Sequence, residues 1–443
     1  MKAVIMAGGE GTRLRPLTCD LPKPMARLCG RPVMTYLLDL LQRCGVREAA
    51  VTMRYLPQVI REEYDGHYKD VELHFVEEDK PLGTAGSVRG ACRTCAGFEE
   101  DDILVVSGDA LTDIDIEAAY AFHKRSGAAA TLVVSRVEDP REYGLVDMAE
   151  DGRITGFVEK PGWAQAVTDS ANTGMYILSP DILPYIPENT SFDFARDLFP
   201  LLLKDGLPLY AYETDSYWCD IGDLDSYVSC QKDILEGRVH TELAIQDGIV
   251  CEEGERPSGS YTLVPPVYIG RGVRIGTAAQ IGPFAVLDEG SCIGNNAKIR
   301  GSVLLEHAYV GDRASLTGAL LCHGASVRRG ASLFEGAVVG GGSVVGEYAS
   351  VSPDVKIWPD KQVESSRYLR ENLRDGHGAP SRFDDNGITG ETGVELTPEM
   401  VEHDLTKDQF RLYKLIWSRF LSSQMASAVY DVTAIESSCG KHL

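Results

Sequence analysis

From Ile269 onward one rule governs the sequence: an aliphatic residue stands at every sixth position. Ile269, Ile275, Ile281, Leu287, Ile293 and Ile299 keep it without a break. The register slips by one, resumes through Leu304, Val310 and Leu316, slips again, and runs through Leu321, Val327, Leu333, Val339, Val345, Val351 and Ile357. Gly270, Gly276, Gly282, Gly294 and Gly311 each follow their aliphatic residue directly. One inward aliphatic and one small residue in every six build the flat faces of a parallel β-helix. A left-handed β-helix is therefore expected over residues 265–363.

The rest of the chain obeys other rules. At 443 residues it is too long for one ordinary domain. Residues 1–236 alternate strand-like and helix-like segments, as a layered α/β domain with a mostly parallel sheet does. Pro32 to Cys44 predicts a helix, with Leu37, Leu38, Leu40 and Leu41 as its apolar face and Gly45 as its stop. Strands are predicted at Ala49–Arg54, Val71–Val76, Ile103–Ser107 and Ala130–Arg136 from their β-branched and aliphatic content. Residues 237–264 are polar and rich in Gly and Pro, and are expected to be a connector. Residues 364–396 read as loop. In the tail, 397–443, Thr406–Gln424 has a capping-box start and helical apolar spacing.

The stretch Met6-Ala7-Gly8-Gly9-Glu10-Gly11-Thr12-Arg13-Leu14-Arg15-Pro16-Leu17-Thr18, followed by Lys23-Pro24, carries the chemistry. It succeeds a short apolar run, Ala3-Val4-Ile5-Met6, suited to a buried first strand. Its glycines allow a tight turn that presents bare N–H groups to an anion. That places a phosphate cradle at the carboxyl end of a parallel strand, where open α/β sheets hold ligands. A P-loop is excluded because Gly11 leads into Thr12-Arg13 and not Lys-Ser/Thr. A dinucleotide fingerprint is excluded because Leu14 stands where the third glycine belongs.

The arrangement resembles the signature of sugar-phosphate nucleotidyltransferases, a Rossmann-like fold. Other motifs of that family follow in order: Pro81-Leu82-Gly83-Thr84-Ala85-Gly86, Ser107-Gly108-Asp109, Tyr143-Gly144, Glu159-Lys160-Pro161, Asn172-Thr173-Gly174 and Tyr217-Trp218-Cys219-Asp220. The β-helix agrees too, since larger members carry one. The chain resembles bacterial mannose-1-phosphate guanylyltransferases of the type fused to a phosphomannomutase-like domain. Residues 384–390 and 394–399 resemble the opening of that domain, although its serine phosphate loop and metal loop do not follow. From Leu405 to Asp431 the tail resembles a segment of type IA DNA topoisomerases without their catalytic motifs, as at a junction of unrelated sequences.

The resemblance implies transfer of a nucleotide from a nucleoside triphosphate to a sugar 1-phosphate. One anion attacks another, and each pair of unit charges at ~4 Å repels by about 4 kcal/mol at an effective dielectric near 20. Arg13 and Lys23 are the expected cations for the β- and γ-phosphates, with Gly8, Gly9, Gly11 and Thr12 supplying backbone or hydroxyl contacts. Asp109 and Asp220 are expected to hold Mg²⁺, which commonly takes one or two carboxylates. Asp109 counts among the catalytic residues with Arg13 and Lys23. Gly83 and Thr84 belong to the implied nucleotide loop, and Gly144, Glu159, Lys160 and Asn172 to the implied sugar-phosphate contacts. Glu78 lies five residues before Gly83, where thymidylyltransferases carry a base-reading glutamine. A carboxylate only accepts hydrogen bonds, which suits the adjacent N1–H and N2–H₂ donors of guanine and repels pyrimidine carbonyls. GTP and mannose 1-phosphate are accordingly the expected substrates. A thymidylyl-, uridylyl- or adenylyltransferase acting on glucose 1-phosphate is the alternative, and Glu77, Glu78 and Asp79 would then form a solvated acidic turn.

A net charge of −23 argues against binding nucleic acid. No apolar run approaches the ~20 residues that span a bilayer, so a cytoplasmic protein is expected, assembling as a homo-oligomer through the β-helix. Eleven scattered cysteines fit a reducing compartment, and Cys92 and Cys95 are expected to be small residues of a helix. Two further readings stand beside the enzyme: an acyltransferase using His307 or His323, and a non-catalytic subunit of the same fold. Retention of Arg13, Lys23, Asp109 and Asp220 opposes the second.

Overall fold

The computed structural model describes residues 1–137, 139–159, 168–252 and 256–374, the strand pair at 383–384 and 387–388, and Phe410, Arg411 and Lys414. It divides into two units, Met1–Arg374 and Asp375–Leu443. In the second, Phe383–Asp384 pairs antiparallel with Gly387–Ile388. The mutase-like and topoisomerase-like segments and the helix expected at Thr406–Gln424 otherwise lie outside the described residues. Among those residues no helix is long and apolar enough to cross a membrane.

The first unit opens with β1 (Lys2–Met6), whose Ala3, Val4 and Ile5 are wholly buried because both faces of the sheet are covered. Helix α1 (Val33–Arg43) buries Leu37, Leu38, Leu40 and Leu41, and Gly45 follows it at φ +73°. Next come β2 (Glu48–Met53), β3 (Val71–Glu77), α2 (Gly83–Thr94), β4 (Ile103–Ser107), β5 (Ala110–Thr112) and β6 (Ala130–Arg136). Then follow β7 (Gly144–Met148), β8 (Ile154–Glu159), β9 (Ser170–Leu178), β10 (Leu209–Thr214), β11 (Trp218–Asp220) and α3 (Leu224–Leu235). The sheet runs β8-β7-β9-β4-β1-β2-β3, with β6 and β10 joined through β9. Its centre, β4-β1-β2-β3, is parallel, whereas β9 is antiparallel to β4, β6 and β7. The carboxyl ends of β1, β2 and β4 therefore share one edge, and the glycine loop leaves from it. Cys92 and Cys95 are free thiols buried in the core around α2.

The second half of this unit is a coil of three parallel sheets of seven, seven and six strands. Successive rungs lie 18 residues apart, as Ile269 beneath Leu287 and Ile275 beneath Ile293 show. Where the sequence slips by one, a rung comes after 17: Leu287 pairs with Leu304, and Leu304 with Leu321. The slips are shortened corners, and the inward stack continues unbroken. All sixteen expected aliphatic residues lie in one buried cluster. The coil also extends beyond 265–363. Ile249–Cys251 and Thr262–Leu263, inside the expected connector, pair with the first sheet and the second. Tyr368–Leu369, inside the expected loop segment, adds a last rung. Backbone pairing carries these strands through polar, proline-rich sequence where the hexapeptide pattern is too sparse to read.

One face of the coil is apolar on the outside as well. Tyr268, Val286, Val303, Leu320 and Val338 point outward from the first sheet and pack with Leu224, Tyr227, Ile234 and Leu235 of α3. Behind them Asp288 is 1% exposed, and its Oδ2 has no hydrogen-bond partner. Burial raises its pKa to about 6, against the pull of the Glu289 N–H and of Arg27, with Glu306 and Glu252 adding to the rise. The folded state thus keeps a proton that the unfolded chain loses near pH 4, and stability falls as pH climbs through about 6. Two pKa units correspond to at most about 3 kcal/mol. Asp288→Asn should raise the melting temperature at pH 7.5 and flatten its decline between pH 5 and 7.5. Equal slopes for variant and parent, measured by thermal unfolding, would refute this.

Candidate active site

β1 ends at Met6, and the chain turns into Ala7–Gly11. Gly11 has φ +60°, and a Cβ there would lie 3.2 Å from both the Cβ of Lys23 and the Cγ2 of Thr18. Left-handed backbone and absent side chain are required together, so only glycine serves. The Thr18 hydroxyl locks the turn by donating to the Gly11 carbonyl at 2.7 Å. Gly9 is open, with nothing within 4 Å of a Cβ placed on it, and Gly8 lies under Arg54.

Thr12–Leu14 forms a single 3₁₀ turn with Thr12 and Arg13 exposed. The Arg13 guanidinium lies along Gly222, where an added Cβ would be 3.4 Å from both terminal nitrogens. Its charge pulls against the burial that raises Asp220, and adds to the Ser226 hydrogen bonds that hold Asp223 below the ordinary value against burial. With Asp223, Asp225, Asp354 and Lys356 it lines a cavity of about 220 Å³ between α3 and the coil. Arg15 is paired with Glu10 at 3.9 Å, and Glu10 also takes Arg54 at 3.2 Å.

Lys23, Asp109 and Asp220 meet. The ammonium of Lys23 lies 2.5 Å from Asp109 Oδ2 and 3.3 Å from Asp220 Oδ1. Asp109 follows β4, and the Ser107 hydroxyl donates to it. Asp220 ends β11, which pairs antiparallel with β5 so that Asp220 faces Ala110. The Ile221 N–H donates to the Asp109 carbonyl at 3.3 Å, fixing the two aspartates side by side. Burial opposes the charge on Lys23, but the two carboxylates outweigh it and hold its pKa above the ordinary value. Burial raises Asp220, the Asp109 charge adds to this, and Lys23 and Arg13 pull against it. Two apposed carboxylates with one amine between them leave charge for a divalent ion, so the residues fit Mg²⁺. Two ligands from the protein, with phosphate oxygens and waters completing the shell, match how this ion is held.

Glu78 stands just past β3, tied by its N–H to the Met53 carbonyl at 2.9 Å. Burial raises its carboxyl, with Ser87, the Leu82 N–H and Arg54 pulling it down. Its Oε1 is buried with no partner. Gly83 and Thr84, the expected nucleotide loop, also have local structural partners. Gly83 has φ +70°, and a Cβ there would strike the Phe192 carbonyl at 2.6 Å. The N–H groups of Ala85 and Gly86 donate to that same carbonyl. The Thr84 hydroxyl donates to Asp193 and accepts from the Phe194 N–H. This loop is packed on 190–194, which the sequence could not announce because the partner lies over a hundred residues away.

On the other side of β4, the Asn172-Thr173-Gly174 segment bulges from β9. Gly174 has φ +76° and backs onto Ser107, while the Asn172 amide spans from the Gly174 N–H to the Tyr176 hydroxyl. Gly144 opens β7 in register with Glu159. The rings of Tyr143 and Trp218 meet at 5.4 Å, and the Trp218 indole N–H is buried without a partner. Lys160 lies outside the described residues. Sequence reading missed Glu10, Arg54 and Ser107, although Arg54 follows a strand end just as the glycine loop does.

Comparison with known proteins agrees with this geometry. Residues 2–237 match the family model described as Nucleotidyl transferase, and residues 263–373 match that of the GMPPB C-terminal domain. A UTP–glucose-1-phosphate uridylyltransferase of Synechocystis sp. is 33% identical over 348 residues, covering 72% of this chain and 87% of the relative. A mannose-1-phosphate guanylyltransferase of Mycobacterium tuberculosis is 33% identical over 308 residues, covering 69% and 82%. A mannose-1-phosphate guanyltransferase of Aspergillus oryzae is 31% identical over 334 residues, covering 74% and 87%.

The close approach at Gly83 gives a direct test. Gly83→Ala should cost about 2 kcal/mol or more, because it combines a left-handed alanine with a backbone clash. Chemical denaturation would read the loss, and a variant as stable as the parent would contradict the packing described.

Proposed function

We propose that this chain, which belongs to the nucleotidyl transferase family as a sugar-1-phosphate nucleotidyltransferase, joins GTP to mannose 1-phosphate, giving GDP-mannose and pyrophosphate. The observation that carries the base is the unpartnered Oε1 of Glu78 at the edge where β2 and β3 end. Guanine presents two neighbouring donors to such an acceptor, while uracil and thymine would set carbonyl oxygens against it. The guanylyltransferase relatives support this reading; the uridylyltransferase relative favours UTP, which Glu78 would bind poorly.

In the reaction an oxygen of the sugar phosphate attacks the α-phosphorus, and the bond from that phosphorus to the bridging oxygen breaks as pyrophosphate leaves. The N–H groups of Gly8, Gly9 and Gly11 and the Thr12 hydroxyl receive the triphosphate. Lys23 has three donors, two engaged by Asp109 and Asp220, which leaves the third for the phosphates. Arg13 swings from Gly222 to the leaving pyrophosphate. Asp109 and Asp220 would hold Mg²⁺, which would supply neutralisation of charge on the transferring phosphate. Gly144, Glu159, Lys160 and Asn172 are assigned to the sugar side by motif. Positioning and charge compensation account for catalysis of this kind.

Asp109→Asn should keep the fold and lower turnover by about a hundredfold or more, as loss of a charged transition-state contact does. Undiminished turnover at saturating GTP and limiting Mg²⁺ would refute the role. Glu78→Gln should lower the GTP/dTTP ratio of kcat/KM by about tenfold, equivalent to ~1.4 kcal/mol. An unchanged ratio would show that the carboxylate does not read the base. A panel of GTP, UTP, dTTP, ATP and CTP with mannose 1-phosphate and glucose 1-phosphate, followed by pyrophosphate release, tests the substrate pair itself.

A further inference from the structure

We propose that Glu10 is a built-in counter-anion, which occupies Arg54 and Arg15 in the free protein and is displaced when a di- or triphosphate binds those two arginines. This rests on the reading of the glycine loop as a triphosphate cradle, and not on which base or sugar is used. Glu10 stands between Gly9 and Gly11, a carboxylate in the middle of a turn whose glycines offer N–H groups to an anion. Left alone there, its charge would repel the ligand for which the loop is shaped. It is not alone. One carboxylate oxygen accepts from Arg54 Nη2 at 3.2 Å, and the other lies 3.9 Å from Arg15 Nη2. The Arg15 Nε–H is buried with no partner, so that guanidinium keeps a donor in hand. All three side chains are half-buried.

Arg54 is placed for the exchange. It follows β2, at the same sheet edge from which the glycine loop leaves, and a Cβ on Gly8 would be 3.7 Å from its own. The next residue anchors it. The Tyr55 hydroxyl donates to the Thr18 and Cys19 carbonyls at 3.0 and 3.1 Å, and Thr18 in turn closes on the Gly11 carbonyl. The stem of Arg54 is thereby fixed beside the loop, while its guanidinium reaches Glu10. Its charge also pulls on the Glu78 carboxyl. Arg54 thus stands between the loop and the carboxylate assigned to the base.

A partly solvated carboxylate–guanidinium pair contributes little, because water competes for both charges. A phosphate chain offers more oxygens and more charge than one carboxylate, and arginine binds it through two parallel N–H···O bonds. The exchange therefore runs toward the ligand. Nothing lies within 4 Å of a Cβ placed on Gly9, so the loop has room for Glu10 to withdraw. Binding must break the Glu10 pairs first, and Glu10 competes again once pyrophosphate is alone in the site.

The probe is inorganic pyrophosphate in the presence of Mg²⁺, titrated into the full chain and its variants and followed by calorimetry. Glu10→Gln keeps the size of the side chain and removes its charge, and should tighten pyrophosphate about threefold, the scale of a half-exposed charge pair. Arg54→Ala should weaken it about tenfold, as loss of a charge-assisted hydrogen bond does, and Arg54→Lys should recover part of that loss. Combined with Arg54→Ala, Glu10→Gln should lose most of its gain. A purely structural ion pair predicts the opposite sign for Glu10, since both single variants would then loosen the loop and weaken binding alike. Glu10→Gln binding pyrophosphate no tighter than the parent overturns the proposal, and so does Arg54→Ala binding as tightly as the parent. Pyrophosphate release, measured on the same samples, separates this from the reading of function. The expected binding pattern without turnover on any substrate pair refutes the function and leaves the role of Glu10 standing. Turnover without that pattern refutes the proposal alone.

Discussion

An ammonium group placed inside a protein needs compensation, because an unpaired buried charge costs several kcal/mol even after relaxation. Lys23 is 11% exposed, and its compensation comes from two carboxylates far along the chain. Much of the first lobe is arranged so that these three groups can meet. The Gly11 turn packs so tightly on the Lys23 stem that a Cβ on Gly11 would lie 3.2 Å from it, β4 delivers Asp109, and the pairing of β5 with β11 delivers Asp220. The two carboxylates outnumber the ammonium, so the cluster is an acidic floor beside the glycine loop.

α3 links that floor to the coil. Its Tyr227 and Gln231 hold the Arg27–Cys29 segment, which lies between Lys23 and α1, while its apolar side fills the seam against the coil's first sheet. The signature loop touches the coil as well: Arg27 pairs with Glu306 at 2.7 Å, and Asp20 lies against Gly341. The coil is therefore part of the wall that holds the segment following the glycine loop.

The hexapeptide period predicts the inward face of the coil residue by residue, because one side chain per corner-to-corner strand must fill the interior whatever lies outside. The same stretch carried a second signal that the period obscured. Val286-Leu287, Val303-Leu304, Leu320-Leu321 and Val338-Val339 are apolar doublets on successive rungs of one face, whereas the second face pairs a polar residue with an aliphatic one, as at Lys298-Ile299 and Ser332-Leu333. The first member of each doublet marks the face that is covered. The glycine loop and both aspartates were legible because strand ends converge by topology. The engagement of Thr84 by Asp193 was not, since a hydroxyl in a motif looks alike whether it awaits a ligand or a distant carboxylate.

Those doublets bear on ancestry. A solenoid whose outer surface is polar all round can be attached to many partners, and its history can be one of free recombination. Here a stripe of Val286, Val303, Leu320 and Val338 has been shaped to α3, and α3 to the stripe. Neither half can be exchanged for a foreign counterpart without remaking the other, so the two are expected to have been inherited as a linked pair whose contact positions changed in concert.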